Sequence, residues 1–325
     1  LGAWPIRFAE VLEARVLVRA HLPPTPLRSY PALDSALGHG IRVVVKHENH
    51  NPTNAFKVRN GLVAVSRLTP AERGRGVVAA STGNHGQGVA WAGRLLGVPV
   101  TICVPLGNNP EKNAAIRDFG AELHEEGGYY DEAVAVAERL SRERGLTIVH
   151  STNNAGVIAG AATLSLEILE ERPDVEALAI AIGGGSQAVG AMTVARGLGR
   201  DVGVYGVQSE RASGAYQSWR SGTRVTTETA DTFAEGIATK AAYDMTFAAL
   251  REGLAGFVTV SEAELAEALR LLLRVTHTLV EGAGAAGLAG LFKLRETLAG
   301  RTVAIVISGG NIDAAKLQRV LSGAL

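Results

Sequence analysis

"ALAIAIGGGSQAVGAMTVARGLG", residues 177–199, runs from a short apolar segment through a glycine-rich turn into a stretch with helical spacing. The first part reads as a strand and the last as a helix, so the turn joins the end of a strand to the start of a helix. The same order recurs on both sides. Upstream lie the strands "IRVVVKHE" (41–48), "GVVAAS" (76–81), "VPVTICVP" (98–105), "AELHEEG" (121–127) and "LTIVHS" (146–151). Between them fall helical segments at 57–68, in "VAWAGRLLG" (89–97, closed by Gly97), in "PEKNAAIRDFG" (110–120, closed by Gly120) and in "DEAVAVAERLSRERG" (131–145). Downstream, helix 159–172 precedes the quoted stretch, and strand "VGVYGVQ" (202–208) follows it. A helix opened by the capping box Ser261/Glu264, a glycine-rich helix from 282 and strand "TVAIVIS" (302–308) complete the pattern. Repeated strand–helix units imply largely parallel sheets with helices on both faces, and two such blocks imply two α/β domains. Ligands bind open α/β sheets at the carboxyl ends of the strands, where the glycine-rich turns of this chain lie.

The 325 residues suffice for two domains, and 46% hydrophobic with 20% charged residues is the composition of a globular protein. Lys+Arg and Asp+Glu balance at 32 each, so neither nucleic acid nor an anionic membrane is an expected partner. Cys103 is the single cysteine and sits in an apolar run, which excludes an intramolecular disulfide framework and reads as a small buried hydrophobe in a reducing compartment. No secretory signal is recognised, and no apolar run reaches the roughly 20 residues needed to span a bilayer. A cytoplasmic protein with a small-molecule target is expected.

Four stretches carry chemistry. In "AIGGGSQAVGA" (181–191) three glycines and a serine let backbone N–H groups close on an anion at a helix start, which reads as a phosphate cup or as a tight turn. It is neither a P-loop nor a dinucleotide fingerprint. "STGNHGQG" (81–88) and "SGGN" (308–311) close other strands with hydroxyls, amides and bare backbone. "NPTNAFKVRNG" (51–61) contains Lys57, one of only six lysines in a chain that otherwise uses arginine. An amine whose pKa can be lowered attacks carbonyls, which a guanidinium does not, although an exposed lysine in a first helical turn is the plainer reading of the local sequence.

Taken in order, these motifs resemble those of the fold-type II pyridoxal-phosphate enzymes over nearly the whole chain, most closely the serine/threonine dehydratase and serine racemase branch. "AFKVRNG", "STGNHGQGVA", "GGGSQAVGA", "FAEGIA", "EGAGAAGLA" and "SGGN" carry the resemblance. It implies a tryptophan-synthase-β-like fold of two three-layer α/β/α domains. A large domain of residues 1–45 and 153–325 would bind the cofactor, and a small mobile domain would span 46–152. The chain ends about fifteen residues past "SGGN", so no C-terminal regulatory domain is expected.

The resemblance also implies the site. Lys57 would bind pyridoxal 5'-phosphate covalently and later act as base at the substrate Cα, beside Phe56. Asn84 would donate to the ring hydroxylate, and Gly183, Gly184, Gly185, Ser186 and Gln187 would hold the phosphate. Gly236 belongs to the mid-chain loop of the cofactor site. Ser81, Thr82, Gly83 and His85 match the loop that holds the substrate carboxylate. Glu281 would organise the ring side of the pocket, or is a helix N-terminal charge. Ser308 would partner the pyridine nitrogen; a neutral hydroxyl there makes a weaker electron sink than an aspartate would, which favours prompt β-elimination.

The expected activity is therefore an ammonia-lyase acting on L-threonine, L-serine or a related β-hydroxy amino acid, giving a 2-oxo acid and ammonia, in a homodimer. The alternatives are racemisation, a threonine-synthase- or cysteine-synthase-like replacement, and a non-catalytic carrier of the cofactor. Thr82 stands where dehydratases of this branch carry Ala and racemases Ser, and Ser186 replaces a fourth glycine. Gln208 and Gly214 stand where metal-dependent members carry acidic ligands, so no divalent metal is expected there.

Overall fold

A computed structural model describes residues 4–325, so the first three residues of the expected large domain lie outside the described residues. Among the described residues ten strands form two sheets: β1 (Leu27–Ser29), β2 (Arg42–His47), β3 (Val77–Ala80), β4 (Val100–Val104), β5 (Glu122–Glu125), β6 (Thr147–Ile148), β7 (Ala177–Ala181), β8 (Gly203–Ser209), β9 (Gly256–Val260) and β10 (Thr302–Ile307). The larger sheet has the order β1-β2-β10-β7-β8-β9 and the smaller β5-β4-β3-β6. Only β1 runs antiparallel to its neighbour; the other pairs are parallel, as the strand–helix alternation requires. The expected limit at residue 46 falls inside β2, which belongs wholly to the larger sheet.

The central strands of each sheet are buried on both faces, which is why β10, "TVAIVI", is apolar at almost every position, while the edge strands β1, β5 and β6 are partly exposed. One core joins the inner face of the large sheet (Val44, Ala304, Val306) through helices Lys57–Ser66, Asn84–Leu96 and Ala155–Glu171 to the small sheet (Val77, Ala79, Ile102). A second core packs Leu265, Leu269, Leu288 and Leu291 from helices Glu262–Thr276 and Gly282–Leu294 on the opposite face of the large sheet. A third sets Ala133, Val136 and Leu140 of helix Tyr130–Arg144 against Val78 and Cys103. Both units are thus three-layered.

The helix that carries the lysine is held backbone to backbone. A Cβ at Gly61 would lie 2.3 Å from the Gly88 carbonyl oxygen, and one at Gly160 would lie 2.4 Å from that of Arg59. Beneath it Arg59, wholly buried, donates from Nε and Nη2 to Glu48 (2.8 and 2.9 Å) and from Nη1 and Nη2 to Glu167 (2.7 and 2.9 Å). Lys46 Nζ donates to the same Glu167 at 2.6 Å, so two buried cations balance two buried carboxylates.

Two helices start earlier than their apolar spacing suggests. Helix Asn84–Leu96 takes in "NHGQG", because Gly83 caps it and a first turn whose N–H groups lack helical partners tolerates polar residues. Helix Ala155–Glu171 begins four residues early because the Asn154 side chain accepts from the Val157 N–H. Ser261 and Glu264 form the expected capping box.

Candidate active site

A cavity of about 990 Å³ opens between the two sheets, beyond the carboxyl ends of β3, β7 and β10. The residues that the resemblance assigns to the cofactor and substrate site all line it: Phe56 and Lys57, the 81–85 loop, the 183–187 turn, Gly236, Glu281 and Ser308.

Lys57 is the first residue of its helix, and the loop before it is stitched to the 308–311 loop. The Phe56 N–H donates to the Ser308 carbonyl at 2.9 Å, Ala55 bridges to Gly309, and the Gly310 N–H donates to the Asn54 carbonyl at 2.9 Å. The Lys57 ammonium lies 5.3 Å from the Phe56 ring centroid and donates to the Ser151 carbonyl at 3.0 Å. Burial brings its pKa down to about 8, which raises the share of nucleophilic free amine near neutral pH.

The 183–187 turn is built for an anion. Gly185 has φ +88°, and a Cβ at Gly184 would sit 1.8 Å from Thr152 Oγ1, so the backbone admits no side chain there. The carbonyls of Gly183 and Gly184 are occupied by the hydroxyls of Thr239 (3.3 Å) and Thr246 (2.7 Å). Helix Ser186–Gly197 follows, and among the described residues its N-terminus has no side-chain cap and the buried Gln187 Nε2 has no partner. Spare donors beside a positive helix end fit a phosphate.

In the 81–85 loop Ser81 Oγ accepts from the Gly86 N–H at 2.9 Å and from the Gly83 N–H at 3.3 Å. His85 Nε2 is 2.8 Å from the Val149 carbonyl; burial, then the nearby Lys57 charge, push its pKa down to about 3. The imidazole is therefore held neutral, and because the Val149 carbonyl can only accept, Nε2 carries the proton.

On the opposite wall Glu281 Oε1 accepts from Asn84 Nδ2 at 2.8 Å, and Oε2 accepts from the Asn311 N–H at 3.1 Å. Burial raises the Glu281 carboxyl to about 7, against the Asn84 hydrogen bond. Asn311 escaped the sequence reading although it closes "SGGN"; its Nδ2 donates to Asn84 Oδ1 at 2.7 Å. Also unforeseen are ion pairs across the mouth of the cavity. Lys112, from the side of the small sheet, and Lys316, from the other side, share Glu235, and Lys240 lies 3.5 Å from Asp131. Their partners are far apart in sequence, which is why spacing did not reveal them.

Gln208 lies outside this cavity's lining. Its Nε2 donates to Thr239 Oγ1 at 3.2 Å and its Oε1 accepts from the Tyr216 N–H at 3.0 Å, while a Cβ at Gly214 would meet the Lys240 carbonyl oxygen at 2.0 Å.

A desolvated lysine amine and an anion cup facing one cavity between two three-layer units suit a cofactor with an aldehyde at one end and a phosphate at the other. The chain belongs to the family described as "Pyridoxal-phosphate dependent enzyme", which matches residues 18–309. It is 39% identical over 286 residues to an L-threonine ammonia-lyase of Thermotoga maritima, covering 88% of this chain and 71% of that one. It is 33% identical over 316 residues to an L-threo-3-hydroxyaspartate ammonia-lyase of Saccharomyces cerevisiae, covering 97% and 96%. Among solved structures, the processed form of threonine deaminase isoform 2 from Solanum lycopersicum superposes with a TM-score of 0.90 at 29% identity, covering 98% of this chain and 89% of that one.

Proposed function

We propose that this protein is a pyridoxal-phosphate-dependent ammonia-lyase that takes an L-amino acid with a β-hydroxyl, such as L-threonine or L-serine, to a 2-oxo acid and ammonia. The observation that carries the reading is the Lys57 amine, lowered by burial to about 8, in the cavity that also holds the anion cup and Ser308. The two ammonia-lyase relatives, which match most of the chain, support it.

When bound, the cofactor supplies the electron sink for the pair left by the substrate Cα–H bond. Lys57 would hold it through the amine, and the same amine would hold the proton taken from the substrate Cα. Phe56 would flank the ring, and Gly183 to Gln187 would hold the phosphate with main-chain N–H groups, Gly236 backing the turn where its carbonyl oxygen would lie 2.6 Å from a Cβ at Gly183. Ser81, Thr82, Gly83 and His85 orient the substrate carboxylate, largely through backbone. Asn84 would donate to the ring oxygen, and Glu281 holds Asn84. Ser308 would present a neutral hydroxyl to the ring nitrogen, which suits quick loss of the β-substituent over long-lived carbanion chemistry.

We infer that the unit expected at residues 46–152 is the mobile one; the Lys112–Glu235 and Asp131–Lys240 pairs join its rim to the opposite wall. Cys103, buried and without a disulfide partner, suits a reducing cytoplasm, and a homodimer is the assembly the resemblance leads us to expect. No helix among the described residues is long and apolar enough to cross a membrane.

The test is 2-oxo acid release by cofactor-loaded protein from a panel of β-hydroxy, β-amino and O-substituted amino acids. Release of 2-oxobutanoate from L-threonine or pyruvate from L-serine is expected. Inversion of the substrate or replacement of its β-substituent, with no oxo acid, would overturn it.

A further inference from the structure

Asn84 and Asn311 meet end to end, and the order of their atoms is fixed from outside. The Thr53 carbonyl can only accept, and it lies 2.9 Å from Asn311 Nδ2. That contact sets the amide of Asn311 with its nitrogen inward, and Asn54 Nδ2 completes the other end at 3.4 Å from Oδ1. The second hydrogen on Asn311 Nδ2 runs to Asn84 Oδ1 at 2.7 Å. The acceptor of Asn84 is then occupied, its nitrogen faces Glu281 Oε1 at 2.8 Å, and one Nδ2–H is left with no partner among the described residues.

An asparagine amide turned by 180° keeps its shape and exchanges a donor for an acceptor, so only its partners choose between the two. Glu281 chooses weakly: with a carboxyl raised by burial to about 7, it is partly protonated near neutral pH and then accepts from one face of Asn84 or donates to the other. Asn311 does not titrate, and backbone fixes it.

We propose that Asn311 is a positioning residue that locks the side-chain amide of Asn84 as a hydrogen-bond donor toward the oxygen on the cofactor ring. The inference rests on the reading that pyridoxal 5'-phosphate sits at Lys57 with that oxygen facing Asn84. A flipped Asn84 would present a lone pair to an oxygen that carries negative charge, and the ring oxygen would retain its proton instead.

The test is the absorption spectrum of protein loaded with pyridoxal 5'-phosphate, without substrate. In Asn311→Leu, which keeps the branched shape and loses the donor, the ratio of the visible to the near-ultraviolet cofactor band should fall about tenfold, the lower end of what a hydrogen bond to a charged group contributes. In an Asn84→Ala background the same substitution should change the ratio no further, because the effect acts through Asn84. Should Asn311→Leu give no soluble protein, Asn311→Ala is read in the same way. An unchanged ratio in the single variant, or an equal fall in both backgrounds, overturns the inference. A wild-type protein with no visible band instead overturns the reading at Lys57, and the inference with it.

Discussion

Alanine at position 88 would press directly on the residue that holds the cofactor. The Cβ of Gly88→Ala would lie 2.4 Å from the Lys57 carbonyl oxygen, 2.7 Å from its carbon and 3.0 Å from the Val58 nitrogen. Ordinary contact begins near 3.4 Å, so the two helices must part by about 1 Å. No side chain can rotate to absorb this, since all three atoms are backbone. Nor can the lysine helix retreat, because Gly160 already meets the Arg59 carbonyl on its far side. Overpacking of this kind costs about 1–3 kcal/mol, offset by about 1 kcal/mol from replacing glycine within a helix. The net loss of stability is therefore small, whereas a 1 Å displacement of a reacting group lowers the rate about 100-fold. The assay is kcat/KM for 2-oxo acid release together with the melting temperature of the loaded protein. Gly74→Ala, where a Cβ meets nothing within 4 Å, serves as the control. A Gly88→Ala enzyme within about threefold of wild type would refute the argument that this backbone contact sets the position of Lys57.

Arg59→Met removes the charge that joins two buried carboxylates and leaves Lys46 to face them; a loss of about 3–5 kcal/mol is expected in urea unfolding, and an unchanged midpoint would contradict it. Glu281 keeps its proton to about pH 7 in the folded protein but only to its ordinary 4.5 when unfolded, so its cost to stability is absent below 4.5, grows as pH rises, and is complete above 7. Melting temperatures across that window should therefore fall with pH more steeply in wild-type apoprotein than in Glu281→Gln, and parallel curves would refute the assignment. Magnesium or calcium added to metal-stripped protein should change neither activity nor melting temperature, because Gln208 and Gly214 offer a hard cation no carboxylate; a rise in both would show otherwise.

The parts of the site written in single short motifs were legible in the sequence. Glycines at 183–185 show themselves because no other residue fits the turn, and the strand ends at 81 and 308 are marked by a sharp change from apolar to small polar residues. The alternation of strands and helices gave the layered architecture for the same reason: a strand buried on both faces is apolar throughout. What could not be read is whatever joins distant segments. Asn311 meets Asn84 across 227 positions, and the Arg59–Glu48–Glu167 cluster looks like surface charge until the fold buries it. His85 stands in the expected loop, yet only the structure shows that Val149 ties down its ring.

Reduction of the loaded protein with borohydride, followed by digestion and mass spectrometry, tests the account most directly. A single pyridoxyl group on the peptide containing Lys57 is the predicted result. The group on Lys46, Lys112, Lys240, Lys293 or Lys316 instead, or on no peptide, would contradict it.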